Sequence, residues 1–174
     1  MSTSAVTLRP ICPDDAEFLY QVYASTRMEE LAPLRQSWPE EQLAAFLRMQ
    51  FTAQHQHYQA SYANANFDVI LADGNPAGRL YVDRPPGEIR LIDIAVLPQY
   101  RGAGIGSRLL ADLLAEAEQA GKPISLHVEK FNPTLSWYER LGFSIVDDRG
   151  VYWFMEWRPH STVIAGSSAG DPPV

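Results

Sequence analysis

The chain has 174 residues, of which 46% are hydrophobic, and it carries a formal net charge of −7. This length fits one α/β domain or two very small ones, and the apolar content supports a folded core. The acidic balance, with no cluster of Lys and Arg, argues against nucleic-acid binding. The single cysteine, Cys12, excludes an internal disulfide, and no apolar run is long enough for a signal or a membrane span. We therefore expect a cytoplasmic protein.

The first half of the sequence predicts one strand, two helices and three further strands. A short alternating stretch at about residues 5–9 ends at a proline, and a helix begins near Pro13. A second helix begins near Pro39 and extends into the upper fifties, because apolar residues recur there at helical spacing. Three strands, separated by turns rich in Gly and Pro, are then predicted at 67–72, 77–84 and 88–97.

The second half predicts a helix led by glycines, a strand, a short helix and two closing strands. Apolar residues at i, i+4 spacing run from Ile105 to Ala117, and Gly121 ends that helix. The strand is ISLHV, and the short helix is NPTLSWYERLG with Asn132 at its N-cap. The resulting order, β-α-α-β-β-β-α-β-α-β-β, implies a mixed α/β sheet whose first half is antiparallel.

The C-terminal end carries two further expectations. The run VYWFMEW places aromatic residues on both faces of its strand, which predicts burial by the core on one side and by a partner subunit on the other, and hence a homodimer. The tail at 159–174 is small, polar and contains Gly and Pro, so we expect it to be disordered and the single domain to span 1–158.

The stretch PQYRGAGIGSRLL, residues 98–110, places three glycines directly before a helix. The approach from Arg101 to Gly104 has no Ser, Thr, Asp or Asn to cap the helix, so its first N–H groups are free for an external anion. Without a Cβ, glycine also lets that anion come close. A plain tight turn that needs positive φ would use the same residues. The missing cap and the adjacent arginine favour a phosphate or pyrophosphate.

Two other phosphate-binding motifs fit this loop poorly. A Walker A loop needs a lysine after its glycines, and Gly106-Ser107-Arg108 lacks it. A dinucleotide-binding fingerprint needs G-x-G-x-x-G, whereas the glycines here are spaced G-x-G-x-G. Too few residues follow Glu129 to complete a doubly wound sheet.

Two stretches resemble the GNAT superfamily of acyl-coenzyme-A-dependent N-acyltransferases. AVLPQYRGAGIGSRLL is similar to motif A of that family, whose Gln/Arg-x-x-Gly-x-Gly/Ala pattern is matched by Gln99, Gly102 and Gly104. FNPTLSWYERLGF, residues 131–143, resembles motif B, in which an Asn and a short helix with a Tyr precede Leu-Gly-Phe. The motifs occur in the family's order, and the element order matches along residues 5–157.

The resemblance implies an enzyme that moves the acetyl group of acetyl-CoA to a primary amine of a small molecule or a protein. Backbone N–H groups of the glycine loop would hold the pyrophosphate, and pantetheine would lie between the strands at 90–97 and 124–129. Tyr138 would sit by the sulfur as general acid. The cofactor-binding residues implied are Ile94, Ala95, Val96, Arg101, Gly102, Ala103, Gly104, Ile105, Gly106, Ser107 and Asn132.

The chemistry agrees with these residue types. The amine attacks the thioester directly, and a backbone N–H near Ile94 to Val96 can stabilise the negative charge on the carbonyl oxygen. A Tyr hydroxyl can protonate the departing thiolate. No covalent enzyme intermediate and no metal are needed, so Cys12 is not the nucleophile. A coenzyme-A-binding sensor without catalysis, or an adaptor that uses the aromatic C-terminal strands, would be alternatives.

Several other polar residues fit either a functional role or an ordinary structural one. Asp93 points away from its strand neighbours Ile92 and Ile94, and is either a base or ammonium binder, or merely solvated. Glu88 precedes the same strand. The sequence leaves the roles of Arg27 and Arg35 open. It predicts structural roles for His127 and Glu129. His55 and His57 are two apart on a helix, which disfavours a shared metal.

Overall fold

The computed structural model describes residues 3–28 and 30–160. It contains the predicted elements in the predicted order, with small shifts at their ends. They are β1 (Val6–Pro10), α1 (Ala16–Arg27), α2 (Glu40–Ser61), β2 (Asn66–Ala72), β3 (Asn75–Asp83), β4 (Ile89–Val96), α3 (Ile105–Ala120), β5 (Ile124–Glu129), α4 (Thr134–Arg140), β6 (Ser144–Arg149) and β7 (Tyr152–Trp157). Single 3-10 turns lie at Pro13–Asp15, Leu34–Gln36 and Pro98–Tyr100.

The strands follow the order β1-β2-β3-β4-β5-β7-β6 in the sheet, which is mixed as predicted. The chain divides into two compact units. Unit one comprises Met1–Arg84 with Leu91–Leu109, and unit two comprises Pro85–Arg90 with Leu110–Val174. Strand β4 and helix α3 therefore contribute residues to both units. The single domain over 1–158 stays a prediction.

Unit one has an antiparallel sheet covered by α1 and α2. Strand β2 pairs with β1 on one side and with β3 on the other. The helices meet through buried apolar side chains at the spacing that the sequence predicted. That core consists of Leu19, Tyr23, Leu43, Leu47 and Phe51. A second buried contact, of Val22 with Ala95 and Leu97, packs α1 on the last part of β4.

Strand β4 approaches β3 unusually closely at one point of unit one. A Cβ atom added to Gly78 would lie 2.2 Å from the carbonyl oxygen of Ala95, a distance that no real side chain could occupy. Next to it, the N–H of Leu97 donates to the carbonyl oxygen of Ala77 at 2.8 Å. Glycine at position 78 is therefore what allows the backbone of β4 to lie where it does.

Unit two is built on the antiparallel pairs β5–β7 and β7–β6. The two residues of β4 in this unit, Ile89 and Arg90, pair in parallel with Ile124 and Ser125 of β5. The core includes Leu110, Leu113, Ala117, Ile124, Leu126, Val128 and Met155. Every residue of β6 is exposed.

One expectation about the C-terminal end needs revision, and another stays untested. Pro159 is buried, and the N–H of His160 donates to the Glu118 carboxylate at 3.0 Å, so the predicted tail is wrong for these two residues. The remainder of the predicted tail, 161–174, lies outside the described residues. In the single chain, β7 is buried on one face, at Met155 and Trp157, while Tyr152 is 39% exposed, so burial of the other face by a partner subunit stays a prediction. Within the described ranges, no helix is long and apolar enough to cross a membrane.

Candidate active site

The glycine loop has the geometry of an open helix start. Gly102 and Gly104 have φ of 78° and 77°, in the left-handed region that favours glycine. The N–H of Arg108 donates to the carbonyl oxygen of Gly104 at 3.0 Å, so Gly104 stands at the N-cap and has no side chain with which to cap. The N–H groups of the first turn, from Ile105 to Ser107, consequently have no partner within the helix.

Space is available in front of this helix start. A Cβ at Gly102 or Gly104 would meet no described atom within 4 Å. The residues from Arg101 to Gly104 are all exposed, whereas Ile105 is buried and anchors the helix. The positive φ angles satisfy the tight-turn interpretation, and the open N–H groups satisfy the anion interpretation. The backbone of the glycine loop thus meets the requirements of a tight turn and those of an anion site.

Arg101 supports the loop rather than projecting freely from it. Its Nε donates to the carbonyl oxygen of Val96 at 2.9 Å, which ties the loop to the last residue of β4. Arg108, on the first turns of α3, donates to the carbonyl oxygen of Ser4 at 3.2 Å. Both arginines place positive charge near the helix start and, at the same time, fix its backbone.

The backbone from Ile94 to Val96 forms one edge of unit one. On the β3 side, the carbonyl oxygen of Ala95 lies against Gly78 and the N–H of Leu97 bonds to Ala77. Successive residues of a strand direct their N–H groups to opposite edges. Ile94 and Val96 therefore direct theirs away from β3, where an extended ligand could pair with them.

Asp93 forms a buried ion pair that the sequence did not suggest. Its Oδ2 accepts a hydrogen bond from Nη2 of Arg79, on β3. Only 3% of the Arg79 side chain is exposed, against 21% for Asp93. The same Nη2 donates to Oε1 of Gln54, on α2, at 3.1 Å. Asp93 is thus neither isolated nor simply solvated.

Aromatic side chains surround the Arg79 guanidinium. Its Cζ lies 5.2 Å from the ring centre of Tyr81 and 6.0 Å from that of Tyr23. His55 is half-buried nearby, and its pKa is lowered by burial and, to a smaller extent, by the charge of Arg79. His55 therefore remains neutral at pH 7, and His57 is exposed on another face of α2.

In unit two, Asn132 acts first as a helix cap. Its Oδ1 accepts hydrogen bonds from the N–H and the Oγ1 of Thr134 at 2.9 and 2.8 Å. Helix α4 begins at Thr134 with Pro133, rather than the predicted Asn132, as its N-cap residue, so the Asn132 side chain caps the helix from one position further out. Because Oδ1 is committed to the cap, a contact with a ligand would have to use the Nδ2 group of Asn132.

Tyr138 is the buried residue of α4. Its side chain is 8% exposed and its ring lies 5.1 Å from Trp137 and 5.6 Å from Phe143. Trp137, its neighbour in sequence, is only half-buried. Of these two aromatics, Tyr138 is the one that anchors the helix, and a role in catalysis would be added to that packing role.

A second polar network in unit two accounts for Glu88 and His127. Oε2 of Glu88 accepts from the hydroxyl of buried Ser125 at 2.7 Å, and Oε1 accepts from Nη2 of Arg90 at 3.2 Å. Nη1 of Arg90 lies 3.2 Å from Nδ1 of His127, which must be the acceptor because guanidinium only donates. Burial, Arg90 and Arg149 all lower the pKa of His127. These contacts agree with a structural role.

The remaining sequence candidates have ordinary surroundings. Arg27 pairs with Glu30 at 3.0 Å, and Arg35 is exposed. Cys12 is an exposed free thiol. The described residues contain no group of three or more His, Cys, Asp or Glu placed to hold a metal ion.

Sequence reasoning missed Gly78, Arg79 and Gln54. Gly78 lies inside a strand without a turn, and an isolated glycine in a strand is the signal that could have indicated a close backbone approach. Arg79 stands between small and apolar residues in GRLYV, where a lone charge in a buried strand predicts a buried partner. The identity of that partner depends on strand pairing.

The structure combines a mixed sheet with an uncapped, exposed helix start after the fourth strand, which defines a mixed α/β protein. Comparison with known families makes this specific. The model of the acetyltransferase (GNAT) family matches residues 23–143, which is well over half of the chain. The chain belongs to this family.

The curated relatives match this chain over only part of their own length. The [ribosomal protein bS18]-alanine N-acetyltransferase of Haemophilus influenzae is 37% identical over 67 residues, which are 38% of this chain and 46% of the relative. The mycothiol acetyltransferase of Corynebacterium aurimucosum is 40% identical over 68 residues, 38% of this chain and 22% of the relative. The chain thus covers less than half of either protein, and the two differ in the acceptor that their names give.

A solved structure shows the same fold over nearly the whole chain. PaiA N-acetyltransferase from Thermoplasma acidophilum, in complex with coenzyme A, has a TM-score of 0.66 at 21% identity, covering 88% of this chain and 99% of that one. At this level of identity the likeness concerns the fold alone. The mixed fold predicted from the sequence is confirmed.

Proposed function

We propose that this protein is an N-acetyltransferase that moves the acetyl group of acetyl-CoA to a primary amine. The observation that carries the proposal is the uncapped start of α3, where Gly104 occupies the N-cap and the space in front of it is open. Membership of the acetyltransferase (GNAT) family supports the choice of coenzyme A as the anion. No metal enters the proposed reaction.

The residues proposed to bind coenzyme A divide into three groups. The backbone of residues 101–107 binds the pyrophosphate, and the backbone of residues 94–96 pairs with pantetheine through N–H groups directed away from β3. One of those N–H groups also stabilises the negative carbonyl oxygen during attack. Asn132 contributes its Nδ2 group to the pantetheine arm. Tyr138 protonates the departing thiolate.

Binding and turnover test this proposal separately. Calorimetry with acetyl-CoA is expected to show a tight, single-site complex. Gly104→Glu should bind at least about tenfold more weakly than Gly104→Gln, because only the former adds a like charge beside the pyrophosphate. Both variants strain the same positive φ, so their difference isolates the charge. Equal affinities would contradict the pyrophosphate site.

Turnover distinguishes the enzyme from a coenzyme-A-binding sensor. Release of free thiol from acetyl-CoA is measured with a panel of small amines and with short peptides that begin with alanine, the acceptor in the name of one relative. An enzyme gives amine-dependent thiol release. Binding without any amine-dependent release would support the sensor instead.

Tyr138→Phe tests the general acid. Because the variant keeps the ring that packs on Trp137 and Phe143, we expect unchanged stability and unchanged acetyl-CoA affinity. Loss of a general acid should lower kcat by about 10²-fold and remove the alkaline limb of the rate profile. A normal kcat with the limb retained would leave Tyr138 as a packing residue.

A homodimer in the cytoplasm is the proposed form of the protein. Supporting the dimer, β6 is exposed along its whole length and carries two exposed apolar residues, Ile145 and Val146, at 41% and 52% exposure. The single cysteine is compatible with a reducing compartment. A monomer mass by light scattering at micromolar concentration would contradict the dimer, and secretion of a tagged chain would contradict the compartment.

A further inference from the structure

Arg79, on β3, contacts three other elements of unit one. Its Nη2 donates to Oδ2 of Asp93 on β4 and to Oε1 of Gln54 on α2. Its Cζ lies 6.0 Å from the ring centre of Tyr23, on α1. Only 3% of the Arg79 side chain is exposed, so these contacts occur inside the protein. Arg79 thus links β4 to its neighbouring strand and to the helices that cover the sheet.

Stability alone does not account for an ion pair with so buried a cation. Removal of two charges from water costs free energy, and well-packed apolar side chains of similar volume are often as stable or more so. Apolar side chains, however, can pack in several nearly equivalent ways. A buried ion pair allows fewer arrangements, because either charge is costly to bury without the other. The pair of Arg79 and Asp93 therefore restricts where β4 can lie.

Three alternate residues at the end of β4 are held on the β3 side. The contacts join them to three consecutive residues of β3: Asp93 to Arg79, Ala95 to Gly78, and Leu97, directly after β4, to Ala77. The residues between them, Ile94 and Val96, direct their N–H groups to the opposite edge. Because rigid peptide units join the held residues to the free ones, a shift of the former also moves these two amides. The position of the amides thus depends on Arg79.

We propose that Arg79 is a positioning residue for the acyl donor. Through Asp93 it fixes the amides of Ile94 and Val96, which are proposed to pair with pantetheine, so this inference rests on the proposed function. Arg79 acts without contact to the reacting atoms. It holds β4 in the arrangement that the cofactor needs before the cofactor binds, and less ordering then accompanies binding. The pyrophosphate site at residues 101–107 follows the strand and has its own helix start, so the ion pair should affect it little.

Two ligands distinguish positioning from a general loss of structure. One is acetyl-CoA, and the other is the nucleotide half of coenzyme A, which keeps the pyrophosphate and lacks pantetheine. Arg79→Met should bind acetyl-CoA about tenfold more weakly than wild type, as expected for one or two displaced hydrogen bonds, and bind the nucleotide half normally. Calorimetry measures both affinities. Equal weakening for both ligands would mean that Arg79 only stabilises the fold, and wild-type affinity for acetyl-CoA would overturn the proposal outright.

A double variant separates stability from position. Arg79→Met alone leaves the Asp93 carboxylate without its cation, whereas Arg79→Met combined with Asp93→Leu leaves an apolar pair. In urea unfolding, the double variant should regain most of the stability that the single one loses, and it should still bind acetyl-CoA weakly. Recovery of affinity together with stability would overturn the proposal. If neither variant folds, Asp93→Asn, which keeps the side-chain shape, should show the same difference between the two ligands, and wild-type affinity for acetyl-CoA there would overturn it.

The ion pair of Arg9 and Asp15 is a matched control in unit one. It has two hydrogen bonds of 2.8 Å and a carboxylate that is 9% exposed, and it joins β1 to the turn before α1. Arg9→Met should lower stability and leave acetyl-CoA affinity unchanged, and a loss of affinity like that of Arg79→Met would overturn the proposal. If wild type does not bind acetyl-CoA, the proposed function fails. If wild type binds it and acetylates an amine, and Arg79→Met binds it equally well, only this inference fails.

Discussion

Arg79 in unit one and Arg90 in unit two make similar contacts, but their carboxylate partners lie in different surroundings. Each pairs with a carboxylate, lies within 5.3 Å of an aromatic ring centre, and buries an Nε that has no hydrogen-bond partner among the residues described. Glu88, the partner of Arg90, uses its second oxygen to accept from Ser125. Asp93, the partner of Arg79, lies instead beside the backbone proposed to bind the thioester. The two pairs therefore differ in what surrounds their carboxylates rather than in the pairing itself.

The largest expected difference between the two pairs is in stability. Arg79→Met should lower the free energy of unfolding by about 3–5 kcal/mol, because it leaves a carboxylate in a half-buried site without its cation. Arg90→Met should cost about 1 kcal/mol, since Arg90 and Glu88 are 17% and 31% exposed and water can replace the contact. Urea unfolding of both variants measures the difference, and equal losses would mean that the two ion pairs contribute equally to stability.

The position of β4, the strand that carries Asp93, can be disturbed without changing a charge. Gly78→Ala would place a Cβ 2.2 Å from the Ala95 carbonyl oxygen, and we expect a loss of about 1–3 kcal/mol together with weaker acetyl-CoA binding. Gly87→Ala is the matched control, because a Cβ there meets nothing within 4 Å. A tolerated Gly78→Ala with full acetyl-CoA affinity would argue that the backbone of β4 has no special position.

A smaller effect is expected at the second oxygen of Glu88. Ser125→Ala removes a 2.7 Å hydrogen bond from a fully buried hydroxyl and should cost about 1 kcal/mol of unfolding free energy. Amine turnover should remain at the wild-type level if this network is structural. A fall in kcat with unchanged stability would instead bring Glu88 into the reaction.

The smallest expected effect is a pH dependence that arises from the burial of two histidines and, to a smaller extent, from both arginines. Burial and the neighbouring arginines lower the pKa of His55 and of His127 from 6.5. The unfolded chain therefore binds more protons than the folded chain just below pH 6.5, and stability falls as the pH decreases from 7 towards 5. His55→Asn and His127→Asn should each flatten this slope in urea unfolding. Parallel curves of unfolding free energy against pH for wild type and both variants would contradict a contribution from these histidines.

The sequence was sufficient for the elements and for the glycine loop, because each depends on local rules. Periodicity located α3 and its buried stripe, and the absent cap before Ile105 indicated an anion site. The choice between Trp137 and Tyr138 as the buried aromatic lay beyond such rules, since both fit the helix. Tertiary packing selected Tyr138.

The ion pair of Asp93 and the close approach at Gly78 depend on neighbours that are distant in sequence. Arg79 precedes Asp93 by 14 residues and Gln54 precedes Arg79 by 25, so no spacing rule joins them. Pairing of β3 beside β4 and packing of α2 on that face bring them together. Sequence reasoning could identify Asp93 as a candidate, but its chemistry depends on these partners.

Gly78 also has a consequence for the free protein. Because β3 and β4 come together there, the amides of Ile94 and Val96 point outward from unit one, like those of an edge strand. Such amides should exchange quickly with deuterium when they face solvent and slowly when an extended ligand lies along them. The cofactor would then behave as a temporary strand, and the stability of the protein would rise with its concentration.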